Sequence, residues 1–289
     1  MNSLFKGLRN TFIQIKNRKI YFVLLILFQM FLMIIFMGVI LFYGLKIVGN
    51  INEITATLEK DRADSNQKNL QQQALQEAYA ILTTYSLLKQ NLWNLLIGLV
   101  ATFLTLQLSM WIISYHFLNP QKITWRKRLS SFFQQWLKYA FTLIIFFIPF
   151  FVMIYFTLNK AISMNITPES FTALLRLLFY LFITIYFFLL VAFASIGFTS
   201  WKKYFQFSLF LLTKKVHYCL LLFIIQTVLI SIILIPVYFT MANEDLFDLS
   251  LVMLFLLNLV LVLNRLWWIS SLQEGSKEHL AKEQNTNKK

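Results

Sequence analysis

Six long runs of apolar residues constrain this sequence more than any motif in it. Crossing a bilayer takes about 20 consecutive apolar residues in a helix. Runs that qualify are Ile20–Val48, Leu92–Phe117, Tyr139–Leu158, Phe171–Phe198, Tyr218–Phe239 and Leu246–Ile269. Backbone groups in hydrocarbon must bond within their own segment, and the alternation of a membrane β-strand is absent, so each run predicts a helix. The sequence therefore predicts an all-α, polytopic membrane protein with six transmembrane helices.

The composition excludes an ordinary soluble domain. Only 13% of the residues are charged and the mean hydropathy is +0.66, whereas soluble domains carry about 25% charged residues. The first apolar run is too long for the core of a signal peptide and no small-residue cleavage site follows it, so we expect it to stay as the first span. The single cysteine, Cys219, excludes an internal disulfide and is expected to be a small apolar packing residue.

Lysine and arginine fall mainly on one side of the predicted membrane. If the spans alternate in direction, one side holds nineteen basic and three acidic residues, and the other holds seven basic and nine acidic ones. Because positive charge stays on the cytoplasmic side, the sequence predicts a cell-membrane protein with both termini cytoplasmic. The charges flank the spans instead of forming one stripe, so we expect anionic lipid headgroups as partners and no nucleic acid.

A basic, aromatic stretch, "TWRKRLSSFFQQWLK", leads directly into the third span. Its large apolar residues share one helical face, namely Trp125, Leu129, Phe132, Phe133 and Trp136. Such a helix is predicted to lie in the headgroup plane before the chain turns into the membrane. Similar helices are predicted before the first and fifth spans. The candidate headgroup contacts are Arg126, Lys127, Arg128, Lys202 and Lys203.

The spacing of these basic helices indicates a repeat within one membrane domain at 1–271. A shift of 76 residues aligns Trp125-Arg126-Lys127 with Trp201-Lys202-Lys203, which gives possible units at 3–117, 121–199 and 200–271. The identities are few, so repetition and convergence both stay open.

We also predict an external helical hairpin at 50–91, with a turn at "DRADSNQ", and a polar cytoplasmic tail at 272–289. Asn165 begins a glycosylation sequon on the outer side.

Four uncharged amides interrupt the apolar spans. Gln29, Gln107 and Gln226 lie about 12–15 Å from the cytoplasmic ends of their spans, and Asn258 lies slightly deeper. They form a candidate polar layer. Such amides either line a polar path or headgroup slot, or join helices by hydrogen bonds. The interpretation as hydrogen bonds between helices is favoured.

The spans lack the groups that chemistry in a membrane requires. Apart from Asp248, at the outer end of the last span, none of them contains Asp or Glu, which argues against a proton relay or an aspartyl protease. Lys46 and Arg176 near the outer ends, and Arg265 near the inner end beside Trp267 and Trp268, are expected to extend to the interface. No phosphate-binding loop, metal-ligand set, cofactor motif or catalytic constellation is present in the sequence, so we expect no enzyme activity, no metal and no cofactor.

The stretches "LFKGLRNTFIQIKNRKIYFVLLILFQ" and "SWKKYFQFSLFLLTKKVHYCLLLFI" resemble the basic-aromatic helices of a group of uncharacterised archaeal and bacterial six-span proteins. The arrangement is similar to the membrane domain attached to some glycerophosphodiester phosphodiesterases. No stretch of the sequence corresponds to the catalytic domain of those enzymes, so no catalytic residue carries over. The resemblance implies a six-helix membrane fold and no reaction.

Two functions from different classes follow. The first is a non-enzymatic membrane protein that contacts or organises lipids or serves as a scaffold, with a possible protein partner in the membrane. The second is the membrane-spanning subunit of a transporter, because exporter permeases also have six spans and an N-terminal interfacial helix; Lys127 or Lys203 would then lie near the docked ATPase. An intramembrane enzyme is a distant third.

Overall fold

The computed structural model describes residues 2–63, 70–120, 125–163, 168–195, 201–241, 243 and 246–286. All regular secondary structure in these ranges is helical. Six of the helical stretches are long and apolar enough to cross a membrane, namely Lys19–Thr57, Tyr79–Leu118, Leu129–Phe156, Arg176–Ala194, Val216–Met241 and Asp248–Gly275. The predicted all-α class with six membrane-spanning helices is therefore confirmed.

The helices follow one another with short connections. They are α1 (Asn2–Asn17), α2 (Lys19–Ala63), α3 (Leu70–Thr102), a π-helical segment (Phe103–Gln107), α4 (Leu108–Leu118), α5 (Trp125–Ser163), α6 (Pro168–Ala194), α7 (Trp201–Lys214), α8 (Val216–Met241) and α9 (Phe247–Thr286). Proline opens α6, where its missing N–H costs nothing because the first turn of a helix lacks acceptors anyway. Pro149 and Pro236, by contrast, lie inside α5 and α8.

Two of the three predicted interfacial helices are separate helices. Arg18 lies between α1 and α2, and Lys215 lies between α7 and α8. The third differs from the prediction, because Trp125–Ser163 is one continuous helix and the expected turn before the third span is absent. No glycine or proline lies between residues 125 and 148, and the Gln, Leu, Lys and Ala residues near 138 favour helix, so nothing in the sequence breaks it there.

The predicted external hairpin has helical limbs. The first span continues as helix to Ala63, and α3 begins at Leu70, well before the second span. Residues 64–69, which hold most of the predicted turn, lie outside the described residues, as does Asn165. Both limbs continue the helices of their spans without a break.

The chain divides into two compact units. One unit, Phe31–Gln107, contains most of α2, all of α3 and the π-helical segment. Within it α2 and α3 approach closely, since a Cβ added at Gly98 would lie 3.0 Å from a methyl carbon of Val39. The other unit, Met1–Met30 with Leu108–Lys289, contains α1, the beginning of α2, and α4 to α9. The features described below belong to this second unit unless stated otherwise.

A row of buried aromatic rings joins four helices of this unit. The ring of Trp111 in α4 lies 5.3 Å from that of Phe193 in α6, and Phe193 lies 5.4 Å from Tyr139 in α5. Tyr139 in turn lies 5.9 Å from Tyr204 in α7. Trp268 of α9 is fully buried as well. Large rigid rings contribute most of the buried area of such a core, and the tilted and edge-on geometries are those that aromatic pairs prefer.

Helix α1 packs along the end of α9 that leads to the C-terminus. The indole nitrogen of Trp267 donates to the carbonyl of Leu4 at 3.2 Å, and the side-chain amide of Asn10 donates to the hydroxyl of Ser270 at 3.2 Å. Leu4 is buried in this contact. The interfacial helix at the N-terminus is thus fixed to the last span by both packing and hydrogen bonds.

Glycine at position 7 permits this contact. A Cβ there would lie 2.6 Å from the Cα of Ser271, which is closer than side chains tolerate. We predict that Gly7→Ala lowers the free energy of unfolding by about 1–3 kcal/mol through overpacking. Thermal unfolding of the protein in detergent measures the change.

Gly44→Ala is the matched control, because nothing lies within 4 Å of a Cβ at that position. Alanine favours helix over glycine, so this change is expected to be neutral or stabilising by up to about 1 kcal/mol. Equal unfolding temperatures for Gly7→Ala and the unchanged protein would show that α1 does not pack on α9 in this way.

Candidate functional site

The candidate functional region has two parts, an exposed layer and a buried centre. The exposed layer consists of α1, the first part of α5 (125–138) and α7, and we call it the interfacial layer. The buried centre is Arg265 of α9 with the side chains around it. Both are built from residues of the same compact unit.

Helix α7 has two contrasting faces. Tyr204, Ser208 and Leu211 are buried against the bundle, while Trp201, Phe205 and Leu209 are exposed at a spacing of four residues. Lys202 and Lys203 are also exposed. Trp201 lies edge-on to Phe141 of α5, with ring centres 5.6 Å apart. An apolar face turned away from the bundle and flanked by lysines is what a helix at a lipid interface requires.

Hydrogen bonds fix the buried face of α7. The Tyr204 hydroxyl donates to the Thr142 hydroxyl at 3.0 Å, and the hydroxyls of Ser208 and Ser195 lie 2.8 Å apart. Burial raises the pKa of Tyr204 to about 12, although the bond with Thr142 acts in the opposite direction. These paired polar groups give α7 one orientation on the bundle, because buried polar groups are costly when left unpaired.

Helix α1 repeats this arrangement. Leu4, Gly7 and Thr11 are buried against the bundle, while Phe5 and Phe12 are 65% and 56% exposed. The exposed basic residues of α1 are Lys6, Arg9 and Lys16. Leu4, Leu8, Phe12 and Ile15 recur at helical spacing, and of these only Leu4 is buried.

The predicted headgroup contacts are exposed wherever their side chains are described. Arg126, Lys127, Lys202 and Lys203 are all exposed, whereas the side chain of Arg128 lies outside the described residues. In the same stretch of α5 the apolar side chains of Leu129 and Phe133 are each 59% exposed. Gln135 and Lys138 of the same stretch are instead buried.

Two of the predicted amides make hydrogen bonds to neighbouring helices. Gln226 of α8 donates to the carbonyl of Asn264 in α9 at 2.9 Å, and Gln29 of α2 accepts from Arg265. Asn258 donates to the carbonyl of Leu254 in its own helix at 2.9 Å. Gln107 lies in the π-helical segment, within the other compact unit.

Arg265 is buried, and the prediction that it extends to the interface is wrong. Its side chain is 5% exposed, Nη2 donates to Oε1 of Gln29 at 2.5 Å, and its guanidinium carbon lies 5.8 Å from the ring centre of Trp111. The prediction failed because α9 continues without a break to Thr286, so Arg265 is not at the end of its helix. Gln29 and Trp111 hold the guanidinium inside the bundle.

Nη1 of Arg265 is buried and has no hydrogen-bond partner in the described structure. Burying a charged donor without a partner is far more costly than burying a neutral one. Nearby, Nδ2 of Asn264 is also buried without a partner. Sequence reasoning identified Gln29 but missed the burial of Arg265; the available signal was the apolar run at 259–263 before Asn264 and the apolar and aromatic residues at 266–269 after the arginine.

The other reactive or ionisable side chains described in and beside the spans are either packed in the protein or exposed. Cys219 is fully buried, as predicted for a packing residue. Lys46 lies in the other unit with Nζ 4.2 Å from the ring centre of Phe42, and Arg176 is exposed. His217 is exposed, while the side chain of His279 lies outside the described residues. No cluster of three metal-ligating side chains occurs in the part of the chain that the structure describes.

Comparison of the chain with protein-family models, with curated proteins and with solved structures finds no match.

The Tyr204 hydroxyl gives a testable prediction about the interfacial layer. Tyr204→Phe is expected to lower the free energy of unfolding by about 0.5–1.5 kcal/mol below pH 10, because a buried hydrogen bond is lost. The folded state holds the phenol proton more tightly than the unfolded state. The stability that Tyr204 contributes is thus complete below pH 10 and lost as the pH rises toward about 12.

The measurement is unfolding of both proteins in detergent across that alkaline range. All other tyrosines are common to the two proteins, so their difference isolates Tyr204. Tyr21→Phe serves as the control, because Tyr21 is 65% exposed. Curves that coincide below pH 10 would contradict the buried hydrogen bond, and curves that stay parallel through the alkaline range would contradict the raised pKa of Tyr204.

Proposed function

We propose that this chain is a non-enzymatic integral membrane protein that binds the anionic surface of the cell membrane and organises lipid around its bundle. The observation that carries the proposal is the two-faced form of α1 and α7. Each has one face held against the bundle and an opposite face that exposes aromatic and basic side chains. Such a face suits the boundary between headgroups and acyl chains.

The physical basis is the sum of two weak attractions. Each lysine or arginine near an anionic leaflet contributes about 1 kcal/mol, and added salt screens that contribution. Tryptophan and phenylalanine place apolar rings below the headgroups, where the indole N–H of tryptophan stays hydrated. Because α1 and α7 are fixed to the bundle, the helices need not be ordered when lipid binds, which favours binding.

The interfacial layer is proposed to lie on the cytoplasmic side. The support is the excess of basic residues at that end of the spans, which is the pattern of cytoplasmic flanks. Cytoplasmic leaflets also carry the anionic lipids to which such a layer would bind. Orientation and partner thus follow from the same charges.

The transporter alternative has weaker support. It predicts that the amides of the spans line an open polar path. Gln29 and Gln226 instead make hydrogen bonds to neighbouring helices. Bonds of this kind join helices within a bundle, which favours a packed scaffold that contacts lipid at its surface.

Changing four exposed cations tests the proposed lipid contact. Replacement of Arg126, Lys127, Lys202 and Lys203 together by Gln is expected to reduce the anionic lipid that stays with the protein during detergent extraction. The loss should shrink as salt is raised, because the attraction is screened. Quantitative lipid analysis of the purified proteins provides the measurement.

The matched control replaces two exposed cations at the opposite ends of the spans, Lys46→Gln with Arg176→Gln. Retained anionic lipid should be unchanged in that control. Equal retention in the fourfold variant and the unchanged protein would refute the proposed contact.

Thiol labelling tests the proposed orientation. In a Cys219→Ser background, Asn243→Cys should react with a membrane-impermeant reagent in intact cells, while Lys203→Cys should react only after the cells are opened. Both positions are exposed, and α8 separates them. The reverse pattern would place the interfacial layer outside the cell.

A further inference from the structure

We propose that Arg265 anchors a binding site inside the bundle for one phosphate oxyanion, supplied by a lipid headgroup. This site is separate from the exposed interfacial layer, so it goes beyond the function proposed above. The inference starts from an imbalance of charge at Arg265. A buried guanidinium is held there by neutral groups only.

The known partners of Arg265 supply dipoles but no negative charge. The Gln29 amide oxygen accepts one hydrogen bond, and the face of the Trp111 ring lies 5.8 Å from the guanidinium carbon. In the described part of the chain no carboxylate pairs with this arginine, and Nη1 has no acceptor. Arginine stays protonated in proteins, so it cannot escape the imbalance by losing its proton.

Buried charges in proteins are paired, because an unpaired ion in a medium of low dielectric constant is strongly unfavourable. An oxyanion at Nη1 would supply both the missing charge and the missing hydrogen-bond acceptor. Guanidinium groups bind phosphate and carboxylate oxygens through short, charge-assisted hydrogen bonds. The chemistry of the missing partner is therefore that of an oxygen anion.

The depth of Arg265 identifies the phosphate of a lipid as the source. Helix α1 contacts α9 at Trp267 and Ser270. These residues lie two and five positions beyond Arg265, which is about 3–8 Å along the helix. An interfacial helix of this kind lies at the boundary of headgroups and acyl chains. Arg265 thus lies just below that boundary, within reach of a phosphodiester group.

The beginning of α2 offers the route by which a headgroup reaches Arg265. In this part of α2 only one face is packed, and it carries Leu25, Ile26 and Gln29. Leu24 and Leu27 on the outer side are more than half exposed. The helix makes only sparse contacts with its neighbours in the unit. A small displacement of α2 at Gln29 would open Arg265 to lipid.

The test uses purified, delipidated protein in non-ionic detergent with two probes, phosphatidylglycerol and inorganic phosphate. Native mass spectrometry counts bound phosphatidylglycerol, and thermal unfolding reports the stabilisation that each probe produces. The unchanged protein is expected to bind one added phosphatidylglycerol at the Arg265 site. Arg265→Gln should weaken its affinity by at least tenfold, whereas Arg176→Gln, which removes an exposed arginine, should not change it.

The two probes distinguish the sources of the oxyanion. Stronger stabilisation by phosphatidylglycerol than by inorganic phosphate assigns the site to a headgroup. Equal stabilisation by both, lost in Arg265→Gln, keeps the oxyanion site and assigns its occupant to solution. Absence of an Arg265-dependent effect from either probe overturns the proposal, including the case in which an acidic side chain of another protein fills the site.

Two further variants keep the proposal testable if Arg265→Gln fails to fold. Arg265→Lys keeps the charge but loses the planar donor array, and should bind phosphatidylglycerol at least tenfold more weakly. Gln29→Leu frees a second donor of Arg265, so phosphatidylglycerol should stabilise that variant more than the unchanged protein. A purely structural Gln29–Arg265 pair predicts no stabilisation by the probe in either protein. The cations of the interfacial layer are unchanged in every variant, so failure here leaves the proposed surface contact standing.

Discussion

The arrangement of this bundle depends on a guanidinium group that is held away from water. Arg265 lies where α2, α4 and α9 meet, between the amide of Gln29 and the ring of Trp111. Removing a charge from water is among the most unfavourable steps in folding, and neutral dipoles offset it only in part. Gln29 of α2 and Trp111 of α4 are placed where each offsets part of that cost. In a bilayer this matters more, because burying apolar surface contributes little between helices when the surrounding lipid is equally apolar.

From this centre the packing extends to the interface through aromatic rings. Trp111 contacts Phe193, Phe193 contacts Tyr139, and Tyr139 contacts Tyr204 on the buried face of α7. Helix α7, which exposes a basic and aromatic face, is thus joined through this row of rings to α4, whose Trp111 contacts Arg265. A lipid headgroup bound at one place and a bilayer surface bound at the other would act on the same rigid set of rings.

The class of the fold could be predicted from sequence because it depends on local properties. Span length, apolar composition and the absence of breaks determine that helices cross a bilayer, and each can be read without knowing its neighbours. The burial of Arg265 could not be predicted this way. Beside two tryptophans it has the pattern of an interfacial anchor, and only the continuation of α9 and the arrival of Gln29 from α2 show otherwise. The burial of Lys138 also depends on structure that the local sequence does not reveal. Helix α5 continues straight through this residue and does not turn, as a helix in the headgroup plane would.

The central claim is that Arg265 is completed by a lipid phosphate. A density map of the full chain in nanodiscs that contain phosphatidylglycerol tests it most directly. The account predicts density for one headgroup beside α2 near Gln29, with a phosphate oxygen about 3 Å from Nη1 of Arg265. A map in which Nη1 meets only side chains of this protein, with no lipid density beside it, would contradict the account.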